Sequence, residues 1–216
     1  LPGLQALEWA PRIGPEQRAA LEADMRQQGF PNFVVTHRTF SGDLVSADER
    51  AVYFPIVYVY PYENNKRAHG LDVYQLDYRQ RQIKDAIENN LTVFSDPLHL
   101  VQGGREISYI VYAPVYKLDP NGNVKASGLN GVQGLVQVVV RFRDIIDQIT
   151  DRLHLDKVNL SVYDINDPAK PVLLWGDHIQ PSRYSWSTEY QMQNRKLRFR
   201  IEPNAHMLKS VNQWQT

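Results

Sequence analysis

The residues best placed to do chemistry are His69 and Asp72, in the short sequence Ala68-His69-Gly70-Leu71-Asp72. A histidine close to a carboxylate can act as a general base held by its acidic neighbour, as in small hydrolases. No nucleophile motif accompanies the pair, and the chain contains no cysteine. We therefore interpret His69 as an exposed residue at the end of a helical turn. Turnover that survives His69→Ala would exclude the hydrolase alternative.

Asp72 has a second possible role, as a recognition group. A carboxylate at the wall of a pocket accepts strong hydrogen bonds from N–H groups of a ligand, and burial without such a partner raises its pKa. The stretch from Ala68 to Tyr116, with aromatic strands on both sides of the aspartate, is typical of a pocket wall. On pattern alone it is more typical of an ordinary α+β core in which Asp72 caps a turn. The spacing leaves both interpretations open.

Other chemical motifs are missing from the sequence. The histidines form no HExxH pair, and no GxSxG, GxxxxGK[ST] or GxGxxG sequence occurs. The glycines at 103–104 and 128–131 are predicted to form turns, and the sequence DIND at 164–167 lacks the glycine and distal glutamate of a calcium loop. We therefore predict no catalytic residue, no metal site and no cofactor.

Composition narrows the class of protein further. The 24 basic and 24 acidic residues cancel, and no basic stripe with interleaved aromatic residues suggests nucleic acid as a partner. Hydrophobic residues make up 43% of the 216 residues, which is enough for a folded core. No apolar run is long enough to span a membrane. The abrupt start LPGLQALEW suggests a segment excised from a longer protein.

The elements that must position Asp72 are a strand before it and a helix after it. A β-rich run covers 51–60, and its Pro55 suggests an edge or a bulge. The amphipathic helix of 77–90 places Leu76, Ile83, Ala86 and Ile87 on one face. Strands at 91–94, 106–117 and 134–142 follow, and the last two are joined by a polar loop rich in glycine and asparagine.

Both ends of the chain complete the prediction. Residues 4–28 are predicted to form a long helical stalk with a break near Pro11 and Pro15, followed by a short strand at 32–39. After a helix at 143–153, strands are predicted at 158–165, 172–175, 184–193 and 196–201, and the tail 204–216 has helical spacing. The predicted fold class is α+β with antiparallel sheets.

The ordered pieces ALEWAPRI, YFPIVYVYP, AHGLD, IKDAIENN, FSDP, YAPVY and GLVQVVV resemble the CHASE domain, an extracytoplasmic sensory module. The resemblance runs from about Ala6 through Ile165. It implies an N-terminal stalk (1–31), a membrane-distal PAS-like subdomain with the ligand pocket (32–143), a membrane-proximal PAS-like subdomain (144–203) and a segment leading toward the membrane (204–216). CHASE domains usually sit between two membrane-spanning helices and report to a histidine kinase, a diguanylate cyclase or a phosphodiesterase.

The resemblance also implies a ligand site. In the plant members, which are cytokinin receptors, an aspartate matching Asp72 bonds the purine-like ligand. The residues predicted to bind a ligand are Asp72, Phe94, Tyr58, Tyr60, Tyr112, Gly134 and Leu135. Phe94, Gly104 and Ala113 depart from the plant pattern, so the pocket must have a different shape.

Two functions follow as hypotheses. The first is a periplasmic small-molecule sensor of a membrane-anchored protein, with a purine-like ligand as the candidate and a homodimer formed through the N-terminal helix. The second is a dimerisation and signal-transmission module with an empty pocket. A thermal-shift screen separates them, because a ligand at one hundred times its Kd stabilises a fold by about 2.7 kcal/mol.

Overall fold

The computed structural model of the chain describes residues 3–75, 77–99, 107–153, 155, 157–178, 183–204 and 207. Leu76, Gly103, Gly104 and most of the tail 204–216, all named in the predictions above, lie outside these residues. The chain divides into two compact units. We call Leu4–Ser95 with Ile110–Val140 the N-terminal unit, and Leu1–Gly3, Asp96–Tyr109 and Arg141–Thr216 the C-terminal unit.

The predicted N-terminal stalk is wrong, because the chain opens with a strand. Strand β1 (Leu4–Pro11) is paired on one side with β4 (Tyr58–Tyr60) and on the other with β8 (Val132–Arg141). Leucine, glutamine, alanine and glutamate favour helices in isolation, but pairing with two neighbouring strands overrides that weak preference. The first helix, α1 (Pro15–Gln27), has only 13 residues and begins with proline at a position that needs no N–H donor.

Helix α1 packs against the N-terminal unit and is hydrogen-bonded to it. Met25 is buried in a core with Phe33 and Tyr53. The side chain of Arg18 donates a hydrogen bond of 2.6 Å to the carbonyl of Ala47, and Glu22 accepts one of 3.0 Å from the amide of Val35. The dimer contact stays a prediction, and it can involve only the exposed side of this short helix.

The sheet of the N-terminal unit has the strand order β4-β1-β8-β7-β5, and the pairings recorded within it are antiparallel. Strand β5 (Val93–Phe94) and β7 (Ile107–Tyr116), from Ile110 onward, complete it. Strand β6 (Leu98–His99) pairs with Ile107 and Ser108, and all of these residues belong to the C-terminal unit. The loop between β7 and β8 contains the short helix α4 (Gly128–Gly131). The mixed helix and antiparallel-sheet architecture predicted from the sequence is confirmed.

The predicted strand at 51–60 is regular only at its end, in β4. Before it, Tyr53 forms a bridge to Ile13, and Pro55 forms a bridge to Asp72. Proline cannot donate to a ladder, so the chain runs here through single bridges rather than a continuous strand. A short turn, α2 (Tyr62–Asn65) with the 3-10 turn Lys66–Ala68, then leads to Asp72. A hairpin of β2 (Thr36–Arg38) and β3 (Leu44–Ser46) lies beside it, since the amide of Asp72 donates to the carbonyl of Thr36.

Helix α3 (Asp77–Asn89) follows Asp72 and confirms the predicted amphipathic helix. Its buried positions recur at intervals of three and four residues, which is the spacing of one helical face. They are Arg79, Gln82, Ile83, Ala86 and Ile87. Two of these five are polar, so the apolar stripe expected from the sequence is polar at its N-terminal end.

The C-terminal unit contains a four-stranded sheet of order β10-β9-β12-β11 and the helix α5 (Phe142–Leu153). The strands are β9 (Val158–Asp164), β10 (Val172–Gly176), β11 (Trp186–Met192) and β12 (Arg195–Pro203). All four match predicted strands. In the part of the chain that is described, no helix combines the length and apolar character needed to cross a membrane.

Candidate functional site: a polar chamber between the sheet and helix α3

One face of the sheet in the N-terminal unit is closed off from solvent. Directly opposed residues of antiparallel strands share a face, so Ala6, Glu8 and Ala10 lie on the same face as their partners in β8, which are Val139, Gln137 and Leu135. All six side chains are buried. We call this side of the sheet the covered face. Two of its buried residues, Glu8 and Gln137, are polar and sit directly opposite one another.

Helix α3 lies over the covered face. The hydroxyl of Tyr116, in β7, donates a hydrogen bond to the carbonyl of Ile87, and the charge of Arg79 acts on the carboxyl of Glu8. The buried polar end of α3 therefore faces the buried polar pair of the sheet. We use the name polar chamber for this group of three buried side chains, Glu8, Arg79 and Gln137.

Glu8 is only 5% exposed. Burial disfavours the charged form and raises its pKa from 4.5 to about 7, although the positive charge of Arg79 acts in the opposite direction. Near neutral pH the group therefore exists in both forms. The protonated carboxyl both donates and accepts hydrogen bonds, as an amide does.

Gln137 is fully buried, and neither its amide nitrogen nor its amide oxygen has a hydrogen-bond partner among the described residues. A buried donor or acceptor that is left unpaired costs about 1–3 kcal/mol. Buried polar groups in native proteins are almost always bonded to protein or water. An amide whose nitrogen and oxygen both lack a partner among the described residues is therefore an exception in the core of this sheet.

Two of the predicted ligand residues lie on the covered face. Leu135 pairs with Ala10 and is fully buried. Tyr112 is also fully buried and lies four residues before Tyr116 in the same strand, which places both rings on the side of α3. The structure thus brings Tyr112 and Leu135 to the same side of the sheet as Glu8 and Gln137.

Four other predicted ligand residues lie on the opposite face. Tyr58 and Tyr60 oppose Trp9 and Leu7, whose side chains point away from Glu8, and the two tyrosines are 54% and 61% exposed. Gly134 opposes Pro11 beside the ring of Trp9. Phe94 opposes Val111, one position away from the pair of Val93 with Tyr112.

Asp72 is 1% exposed and its two carboxyl oxygens have different surroundings. Oδ1 accepts hydrogen bonds from the amides of Phe54, at 2.9 Å, and Tyr74, at 3.2 Å. Oδ2 is buried without a hydrogen-bond partner among the described residues. Burial raises the pKa of this carboxyl, against the effect of the two amides. One oxygen thus holds the backbone on either side, as a turn cap does, and the other is buried beside it.

The polar chamber was not predicted from the sequence. Glu8 was missed because its segment was interpreted as a helix, in which a glutamate belongs on the solvent side. A signal for Gln137 does exist, since it is the one polar residue in the apolar run GLVQVVV of a predicted strand. No group of three or more histidine, aspartate or glutamate side chains suitable for a metal ion occurs in the described residues.

Known proteins similar to this chain include a domain family and a solved receptor structure. The family model of the CHASE domain matches residues 1–175. No curated protein gives a significant match. A solved extracellular ligand binding receptor from Desulfohalobium retbaense DSM5692 is 16% identical, with a TM-score of 0.47 over 68% of this chain. The chain spans 28% of the length of that receptor chain.

Proposed function

The chain belongs to the CHASE-domain family, an extracellular sensory and not a catalytic class of domain, and from this premise we propose that its N-terminal unit binds a small molecule in the polar chamber. The observation that carries the proposal is the fully buried amide of Gln137, unpartnered among the described residues and opposite Glu8. The chain itself would then have no catalytic step to perform.

The chemistry of the chamber favours a ligand with adjacent hydrogen-bond donors and acceptors. Gln137 offers one N–H donor group and one oxygen acceptor, and a protonated Glu8 offers the same pair of functions. The edge of a purine-like heterocycle presents the complementary set without a net charge. Tyr112 and Leu135, both fully buried on this face, would supply apolar contacts to the ring.

Asp72 enters the proposal as a second recognition group on the strength of the family resemblance. Its Oδ1 is occupied by the amides of Phe54 and Tyr74, which leaves Oδ2 to accept a hydrogen bond from an N–H of the ligand. Ligand contacts by Tyr58, Tyr60, Phe94 and Gly134 stay predictions. The strand pairing puts these residues on the face of the sheet opposite Glu8 and Gln137.

We place this domain in the periplasm, as part of an inner-membrane protein with a histidine kinase, diguanylate cyclase or phosphodiesterase output. The support is the family resemblance, which also implies two PAS-like subdomains. Binding would alter signalling only if the ligand has different affinities for two states of the domain. Helix α3 covers the chamber, so its position is the feature that a ligand would influence first.

The test is calorimetric titration of the 216-residue chain with adenine, N6-substituted adenines, amino acids and small carboxylates. A purine-like compound is expected to bind, and at one hundred times its Kd to stabilise the fold by about 2.7 kcal/mol. Gln137→Leu is expected to weaken binding about tenfold or more, because it leaves polar atoms of the ligand unpaired.

Gln133→Leu is the matched control, since Gln133 is an exposed glutamine of the same strand. It should leave the affinity unchanged. Asp72→Asn, which keeps an oxygen for the amides of Phe54 and Tyr74, should also weaken binding. If no compound binds, or if binding is the same in Gln137→Leu as in the wild type, the chamber is not the ligand site.

A further inference from the structure

A cavity lies in the N-terminal unit, formed by residues that are separate from the polar chamber. It has a volume of about 300 Å³. Its walls come from the segment after α1, the β2–β3 hairpin and the turn that precedes Asp72. The lining residues on which the argument depends are Phe30, Phe33, Thr36, Tyr62, Lys66, Arg67 and His69. We call this cavity the aromatic groove.

Four rings form an aromatic wall in the groove. The ring of His69 lies at its centre, with centroids 4.5 Å from Phe30, 4.8 Å from Phe33 and 5.4 Å from Tyr62. Edge-to-face and tilted contacts at these distances are the favourable arrangements of aromatic pairs. The same rings can therefore hold a flat ligand ring at the mouth of the cluster.

The centre of the wall is neutral near pH 7. The ring of His69 is fixed by its Nε2, which lies 3.1 Å from the carbonyl of Val57 and therefore donates to it. Burial lowers the pKa of His69, against the effect of that carbonyl. The histidine thus contributes an aromatic surface to the groove rather than a positive charge.

Charge at the groove is positive. Lys66 and Arg67 line it, and neither is paired with a carboxylate among the described residues. No aspartate or glutamate belongs to the lining. A cation would be repelled, whereas a carboxylate would form charge-assisted hydrogen bonds with one or both side chains.

A third polar group in the groove lacks a partner. The hydroxyl of Thr36 is buried, and among the described residues nothing bonds its oxygen. Its backbone amide is already used, in a hydrogen bond of 2.8 Å to the carbonyl of Gly70. The hydroxyl can therefore bond a ligand atom that enters the groove.

We propose that the aromatic groove binds a small aromatic carboxylate, with its ring against Phe30, Phe33 and Tyr62 and its carboxylate at Lys66 and Arg67. A cavity of about 300 Å³ is at the small end of ligand pockets, which limits the ligand to one ring or two fused rings. This site is additional to the polar chamber, and its ligand class differs in charge from the neutral heterocycle proposed there.

The test is a titration of the 216-residue chain with indole-3-carboxylate, monitored by the NMR chemical shifts of the backbone amides. The uncharged carboxamide of the same acid serves as the comparison compound. The carboxylate is expected to shift the amides of residues 29–36 and 62–70. The carboxamide, which has the same shape and no charge, is expected to bind about tenfold more weakly or worse. Added salt should lower the affinity for the carboxylate and leave the affinity for the carboxamide unchanged.

Three variants sharpen the test. The double substitution Lys66→Gln with Arg67→Gln should reduce affinity for the carboxylate at least about tenfold. Thr36→Val, which removes the hydroxyl and nearly keeps the shape of the side chain, should also reduce it. Lys84→Gln is the control, since Lys84 is an exposed lysine of α3 outside the groove.

Several outcomes would overturn the proposal. They are the absence of binding, equal affinity for the carboxamide, and shifts that appear at Glu8 and Gln137 instead of the groove. The last would identify the compound as a chamber ligand. Loss of the chamber by Gln137→Leu should leave binding in the groove intact, so the two sites can fail separately.

Discussion

At the scale of residues, the molecule places ionisable and amide groups where a core would ordinarily be apolar. Glu8 and Gln137 face each other in the middle of a sheet, and Arg79 lies above them on α3. Buried ionisable groups with a strongly shifted pKa are concentrated at functional sites, because structure alone gains little from them. Their burial has a consequence for stability that can be measured without a ligand.

The free energy of unfolding is expected to fall as the pH rises from about 4.5 to about 7, in the part that depends on Glu8. Because the pKa of Glu8 is higher in the folded protein than in the unfolded chain, the folded state holds the proton more tightly and loses stability as the proton leaves. A rise from 4.5 to about 7 corresponds to at most about 3 kcal/mol. Above about pH 7 this contribution should stay constant.

The measurement is urea unfolding of the wild type and Glu8→Gln between pH 4 and 8, in steps of about half a unit. The difference in the free energy of unfolding between the two proteins should change across that pH range. Glu8→Gln should become more stable relative to the wild type as the pH rises. Asp72 and His69 titrate in both proteins and therefore cancel in the difference. Glu49→Gln, at an exposed position, should show no such change. Parallel curves for Glu8→Gln and the wild type would contradict the raised pKa.

At the scale of elements, local patterns predicted some segments and failed at others for identifiable reasons. Helices α3 and α5 have apolar residues at helical spacing, and β9 to β12 are separated by turn residues, so each is encoded within its own segment. Strand β1 is not, because the residues of LQALEWAP favour a helix and only pairing with β4 and β8 makes them a strand. The helical interpretation hid Glu8, and therefore the chamber.

The same limit applies to the candidate site. The resemblance selected Tyr112 and Leu135, which do lie on the covered face, but it also selected Tyr58 and Tyr60, which lie on the exposed one. Alternation along a strand assigns residues to two faces without identifying which face is covered. That choice depends on where α3 packs, a contact between distant segments.

Gly70→Ala tests the close approach of two elements beside Asp72. Gly70 has φ of 90°, and an added Cβ would lie 2.4 Å from the carbonyl oxygen of Val34. Gly42 has nearly the same backbone conformation, with φ of 92°, and no atom within 4 Å of the added Cβ. Both substitutions should lower stability by about 1–2 kcal/mol through the backbone conformation.

Gly70→Ala should lose a further amount of about 1–3 kcal/mol, because a backbone carbonyl must move to admit the methyl group. Urea unfolding of the two variants measures the difference directly. Equal losses in Gly70→Ala and Gly42→Ala would show that the segment of Val34 shifts without strain, and that the wall of the aromatic groove is adaptable at this point.

At the scale of the whole molecule, each unit has its own sheet and its own way of stabilising it. In the C-terminal unit, six of the seven residues of β11 are exposed, so one edge of that sheet adds little to the core. A buried ion network joins the end of β9 to the start of β12 in the same sheet. Arg195 is bonded twice to Asp164, at 2.9 Å each, and once to Asp96 at 2.6 Å, while the hydroxyl of Tyr109 donates to Asp164.

Arg195→Met should therefore destabilise the C-terminal unit by about 3 kcal/mol, because it leaves the carboxylate of Asp164, which is 2% exposed, without its cation. Amide hydrogen exchange in β9 and β12 should become about 100-fold faster. Lys196→Gln is the control, since Lys196 pairs with Glu189 at the surface and its loss should leave exchange unchanged. Adding Asp164→Asn to Arg195→Met should restore part of the protection, because the unpaired buried charge is then removed. If the amides of β9 and β12 exchange in Arg195→Met at the wild-type rate, the ion network does not stabilise the C-terminal unit.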